Sequence, residues 1–370
     1  MGLAHRLGCT LSAVGALAAC GDRISSQESP TSSTSATTTS GGQGGSAQAS
    51  GLENYAFRRA IVMTGTVLPG HSFSIALDHA KLVADKKASA SGDDVRIGYA
   101  AGDAYVELDR VLEPRAAWND GATRLWFRTP EDAAPSTEYL VFYGNDAPAA
   151  PLADPTKVYL HWEGFDGDEA PDGWTVSTFG GAVGSVELVA GALRLRGKSG
   201  DFGGTEDSAV LYQRAVSGDF VAELELAGTG GSLGGDAKLG GLMLRASEEA
   251  SAAFAMLTLR ELPRERLSIS RVTAGGAATA TALPVAATFP QVVQLKRLAS
   301  EVTAAYSDDG ATFIALGPPQ NLSALTDPVL LGVPFANVSG DFGYVDVAWF
   351  RAYRRVSPPP TTSLGDELEN

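Results

Sequence analysis

Ala222-Glu223-Leu224-Glu225-Leu226 alternates small or apolar residues with acidic ones. A strand turns successive side chains to opposite faces, so Ala222, Leu224 and Leu226 share one face and the two glutamates the other. A helix would scatter the same residues around its circumference. The pattern recurs up and down the chain, in Arg59-Ala60-Ile61-Val62-Met63, Arg124-Leu125-Trp126-Phe127-Arg128, Leu193-Arg194-Leu195-Arg196 and Leu267-Ser268-Ile269-Ser270. Gly, Asp and Asn cluster between these runs. Short alternating strands punctuated by turn residues predict an all-β protein built of β-sandwiches, not a parallel α/β sheet. One helical stretch is expected, over residues 78–88, with Asp78 as its N-cap. No repeat of fixed period is present, which sets aside propellers and solenoids.

The composition agrees. Of 370 residues, 44% are hydrophobic and only 19% charged. That is enough apolar surface for a core and too little charge for long solvated helices. The net charge is −15, from 43 acids against 28 bases. A nucleic-acid partner needs a basic footprint, so none is expected. Pro148, Pro151 and Pro155 interrupt strand pairing. They divide a small sandwich at residues 53–150 from a larger jelly-roll sandwich at 158–356. Residues 357–370 start with Pro358-Pro359-Pro360 and end acidic, and read as a disordered tail.

The two cysteines, Cys9 and Cys20, both lie near the N-terminus. Residues 7–19 form an apolar run behind Arg6, too short for a bilayer, which needs about 20 residues. Such a run reads as a secretory signal. It ends in Leu17-Ala18-Ala19-Cys20-Gly21, which resembles the bacterial lipobox. The resemblance implies a signal peptide at 1–19, and a lipid on Cys20 that anchors the protein to the membrane. Residues 20–52 are rich in Ser, Thr, Gly and Ala and read as a disordered tether. Gly21 directly after the cysteine, with Asp22 one later, favours the outer membrane of the bacterial cell envelope.

Tyr55-Ala56-Phe57-Arg58-Arg59-Ala60-Ile61, Gly92-Asp93-Asp94-Val95-Arg96-Ile97 and Tyr139-Leu140-Val141-Phe142-Tyr143-Gly144-Asn145 follow in that order. This series resembles the bacterial domain of unknown function 2341, found in secreted and envelope proteins. It implies a β-sandwich module and no catalytic residues. Further on come Trp162-Glu163-Gly164-Phe165-Asp166-Gly167, Gly218-Asp219-Phe220-Val221-Ala222-Glu223, Gly241-Leu242-Met243-Leu244-Arg245 and Val347-Ala348-Trp349-Phe350-Arg351. Their order is similar to the concanavalin A-like lectin/glucanase superfamily, in its laminin-G-like form.

Glucanase members of that superfamily carry Glu-x-Asp-x-x-Glu, whereas this chain has Glu223-Leu-Glu225-Leu-Ala-Gly228. Glu223 and Glu225 therefore read as the solvated face of a strand, and no enzymatic activity is expected. No Gly-x-Ser-x-Gly elbow or phosphate-cradling loop is present. Asp166 and Asp168, in an acidic turn, are the candidate ligands for Ca²⁺. Gly200-Asp201-Phe202-Gly203-Gly204-Thr205 is a second, slighter metal candidate. Ser307-Asp308-Asp309-Gly310 resembles the structural Asp-box turn of sialidases. Trp118, in a turn-rich loop, is the candidate platform for a sugar ring. Trp126, Trp162, Trp174 and Trp349 read as core. Arg264 and Arg266 could form an anion-binding hairpin or a solvated tip. The expected function is a lipid-anchored envelope binding protein whose jelly roll recognises a glycan or a surface partner. The alternatives are a structural or assembly protein of the envelope and a divergent polysaccharide-degrading enzyme.

Overall fold

The computed structural model describes residues 51–370. The signal peptide at 1–19, Cys20 and the tether as far as residue 50 lie outside the described residues. Strands come first: β1 (Phe57–Thr64), β2 (Ser72–Leu77), β3 (Arg96–Ala101), β4 (Ala104–Leu108), β5 (Arg110–Leu112), β6 (Thr123–Arg128) and β7 (Tyr139–Tyr143). A short helix α1 (His79–Ala84) interrupts them. The Asp78 carboxylate accepts from the Lys81 amide at 3.0 Å, satisfying an N–H that the first turn leaves free. After α2 (Pro155–Val158) follow β8 (His161–Glu163), β9 (Thr175–Thr178), β10 (Val183–Val189), β11 (Ala192–Lys198), β12 (Val210–Val216) and β13 (Phe220–Gly231). Next are β14 (Lys238–Arg245), β15 (Phe254–Arg260), β16 (Glu265–Arg271), β17 (Thr279–Ala286), β18 (Gln291–Leu298) and β19 (Glu301–Ser307). The last are β20 (Ile314–Ala315), β21 (Gln320–Asn321), β22 (Val329–Phe335), β23 (Gly343–Arg354) and β24 (Thr361–Glu369). Among the described residues no helix is long and apolar enough to cross a membrane.

These strands form two antiparallel sandwiches. In the small one, the sheet β24-β1-β7-β3-β4 faces the sheet β2-β6-β5. Ile61, Ile97 and Val141 of the first meet Phe73, Ile75, Leu125 and Phe127 of the second. In the larger one, β10-β11-β23-β13-β18-β19-β20 faces β17-β16-β15-β14-β22-β12-β9, with β8 added on β23 and β21 on β19. Leu193, Leu195, Leu224, Leu226, Val293 and Val347 pack there against Tyr212, Leu242, Leu244, Leu257 and Leu331. Each such side chain contributes about 1.5–3 kcal/mol when fully buried. The alternation read from the sequence names the inward residues of β11 and β13 correctly.

Residues 357–370 are not a disordered tail. Thr361–Glu369 is strand β24, paired antiparallel with β1 from Phe57↔Glu369 to Thr64↔Thr361. An unpaired β1 would leave an open edge of N–H and C=O groups. Leu364 packs against the small core, and Tyr143 donates its hydroxyl proton to Glu367 at 2.6 Å. The Pro358-Pro359-Pro360 run is thus a spacer, and the small sandwich is discontinuous in sequence, with the jelly roll between its parts. At its other end Leu52, expected in the tether, is buried beside Tyr55, Leu140 and Phe142.

Candidate functional site

The outer face of the larger sandwich's first sheet is where the sequence places polar residues, and the small sandwich covers part of it. The segment after β5 carries Glu113 and Arg115 onto that face. Arg351 of β23 donates from Nε to Glu223 at 2.7 Å and from Nη2 to Glu113 at 2.6 Å. Its Nη1 donates to the Tyr159 hydroxyl at 3.1 Å. Gln294 and the Tyr353 hydroxyl donate to the other oxygen of Glu223, and Trp126 Nε1 donates to Glu113. Burial by itself would lower the Arg351 pKa, but Glu223, Tyr159 and Glu113 outweigh it and hold it well above its ordinary value. Beside this seam, Arg115 Nε donates to Glu225 at 2.7 Å and its Nη1 to the Asp308 carbonyl at 2.9 Å.

Glu223 is therefore not on a solvated face. It is 1% exposed, because the small sandwich sits on the polar side of β13. A buried carboxylate needs a cation and hydrogen bonds to offset lost hydration. Arg351, Gln294 and Tyr353 supply them.

A cleft of about 360 Å³ opens beside the seam. One wall comes from the small sandwich through Ser72, Phe73, Ser74, Arg124 and Trp126. The facing wall comes from the jelly roll through Val221, Lys296 and Tyr353, and the rim from the segment 354–362. The Trp126 and Tyr353 rings meet at 4.8 Å and tie the two walls together. Aromatic faces, hydroxyls and cations thus converge on one concavity.

The candidate binding and metal residues Trp118, Asp166 and Asp168 lie elsewhere and are not brought together. Trp118 is half-buried in the small sandwich. Its ring lies against Gly92, with the Arg110 guanidinium 4.8 Å from its centroid and the His79 ring edge-on at 5.0 Å. A Cβ at Gly92 would overlap that ring, and the φ of +69° there suits glycine. Asp166 and Asp168 are exposed on the loop after β8. Among the described residues no group of three or more His, Cys, Asp or Glu could hold a metal ion. In the 200–205 segment, Phe202 is fully buried against Phe254, and Asp201 pairs with Lys238 at 2.9 Å. Asp309 accepts from the Thr312 and Ala311 amides and the Ser307 hydroxyl, and these bonds hold its carboxyl far below the usual range. Arg266 is buried on Gln291 and Asp308, and Arg264 pairs with Glu261. Trp174 is core, but Trp126 belongs to the seam, and Trp162 and Trp349 stack on the jelly-roll face the seam covers. The Gly92-Asp93-Asp94-Val95-Arg96-Ile97 motif is a structural joint. Asp94 accepts from the Ser89 and Gly144 amides, and buried Arg96 pairs with Glu107 at 3.0 Å.

No family model matches the chain, and no curated protein matches it. Among solved structures it is similar to a functionally unknown protein from Saccharomyces cerevisiae, at 15% identity and a TM-score of 0.40, covering 50% of this chain and 98% of that one. It is also similar to a xylan β-1,4-xylosidase from Bacillus halodurans, at 15% identity and a TM-score of 0.42, covering 68% of this chain and 47% of that one. A third is a laminarinase from Flavobacterium, at 9% identity and a TM-score of 0.38, covering 53% of this chain and all of that one. The chain spans about half the length of the xylosidase it matches. These matches correct the expectation that the chain is not an enzyme, because a xylosidase and a laminarinase are among them. The likeness itself is one of fold.

Proposed function

We propose that the protein is a polysaccharide-binding protein of the bacterial cell envelope, taking its ligand in the cleft between the two sandwiches. The observation that carries this is the cleft of about 360 Å³, where Trp126 and Tyr353 meet Ser72, Ser74 and Lys296. Small-ligand sites are typically concavities of about 300–1,000 Å³ with apolar walls and a few convergent polar groups. Sugars stack their apolar faces on aromatic rings and orient through hydroxyl contacts. A glycan array probed with the full chain tests the reading. Selective binding lost in Val356→Trp, which puts a ring into the cleft from its rim, supports it. Binding to no glycan sinks it.

The anchoring proposal joins this one. A lipid on Cys20 and the segment up to residue 50 would hold the sandwiches off the outer membrane. Palmitate labelling and membrane fractionation of wild type and Cys20→Ala check it. A Cys20→Ala protein that stays in the membrane fraction contradicts it.

Hydrolysis of the bound polysaccharide is the second reading. It is favoured by the convergence of Glu223 and Glu113 on Arg351 beside the cleft. Glycoside hydrolysis works with two carboxylates across the scissile bond. Here the seam must open first, since Glu223 is 1% exposed. Reducing ends released by the wild type and not by Glu223→Gln are its signature.

A further inference from the structure

Two of the cations that line the cleft have no bonding partner at all among the described residues. Lys296 on β18 and Arg355, just after β23, both border it. No hydrogen bond or ion pair is made by either side chain among the described residues. Arg355 Nη1 is closed off from solvent with no partner. A buried guanidinium N–H left unmade is costly, and charged groups more so. The chain has 43 acids to 28 bases, so the lack of a partner is not a shortage of carboxylates. Glu223, the acid whose charge reaches Lys296, is already held by Arg351, Gln294 and Tyr353. Burial, and then the charge of Arg355, push the Lys296 ammonium down. The pair repels itself and is left unmatched among the described residues.

We propose that Lys296 and Arg355 seat the anionic group of an acidic saccharide, a uronate carboxylate, while the sugar ring rests against Tyr353 and Trp126. The carboxylate brings a bonding partner of opposite charge and acceptors for Arg355 Nη1. Guanidinium and ammonium bonds to an oxyanion are the strong, charge-assisted kind. The aromatic walls distinguish a carboxylate on a sugar from a bare oxyanion, which has no apolar face to stack. This inference rests on the saccharide-binding reading above and adds the charge class of the ligand.

Calorimetric titration of the full chain tests it with three probes: an oligogalacturonate, an uncharged cello-oligosaccharide of the same length, and inorganic phosphate. The wild type is expected to bind the oligogalacturonate most tightly. The double variant Lys296→Gln/Arg355→Gln is expected to lose about tenfold to a hundredfold of that affinity. Lys296→Arg, which keeps the charge, is expected to retain it. Thermal unfolding of each variant separates lost binding from lost folding. Equal affinity for the acidic and uncharged oligosaccharides, unchanged in the double variant, overturns the charge assignment and leaves the saccharide reading standing. Phosphate bound as tightly as the oligogalacturonate overturns the saccharide part. Binding of neither oligosaccharide overturns both.

Discussion

Arg351 of the jelly roll lies 2.6 Å from Glu113 of the small sandwich, at a seam where its side chain is 2% exposed and that of Glu113 9%. The same guanidinium holds Glu223 of its own sheet. One cation therefore satisfies two carboxylates from different sandwiches and fixes how one packs on the other. The cleft beside it exists because the two walls are held in this register.

Removing that cation leaves both carboxylates buried and unpaired. Arg351→Met is expected to destabilise the protein by about 3–5 kcal/mol, the range for breaking a buried ion pair from one side. Urea unfolding measures it. A double-mutant cycle of Glu113→Gln with Arg351→Gln is expected to show coupling of at least about 1 kcal/mol. Additive effects contradict a direct contact.

The C-terminal strand gives a second test. Ending the chain at Val356 removes β24, exposes the edge of β1 and uncovers the face against which Leu364 packs. The burial of Leu364 alone contributes about 1–2 kcal/mol, since it is half-buried. Truncation is expected to lower the unfolding midpoint and to make β1 exchange its amide hydrogens faster. Unchanged exchange in β1 contradicts the pairing.

His161 sets a pH dependence. Burial, with Arg214 beside it, pushes its imidazole down to about 4. The unfolded chain takes up this proton near pH 6.5, while the folded form resists it. The stabilising contribution is full above pH 6.5 and is lost as pH falls toward 4. Comparing unfolding midpoints of wild type and His161→Gln across that window isolates the effect. The wild type is expected to lose stability more steeply than the variant. Parallel curves contradict the assignment.

The strands were legible because their alternation follows from which face meets a core. Ala222, Leu224 and Leu226 announced themselves in that way, as did Leu193 and Leu195. The polar face of the same strands was not legible in its burial. Glu223 looks identical in sequence whether water or another sandwich covers it. The signal lay in residues far apart: Glu113 and Arg115 in one stretch, Arg351 in another. Thr361-Thr362-Ser363-Leu364 hid its strand because one half-buried leucine among polar residues gives little period. The cleft was illegible for the same reason as the seam. Lys296 alternates with Leu295 and Arg297 like any surface lysine, and only the fold sets it beside Arg355. Trp118 misled because a turn-rich loop can still press its ring onto a glycine, here Gly92.

The most direct test of the account is calorimetric titration of one oligosaccharide, chosen from the array, against the wild type and Val356→Trp. The account expects saturable one-to-one binding by the wild type. It expects at least a tenfold loss, about 1.4 kcal/mol, in the variant, at an unchanged unfolding midpoint. Equal affinity in the two proteins would place the ligand outside the cleft and contradict the account.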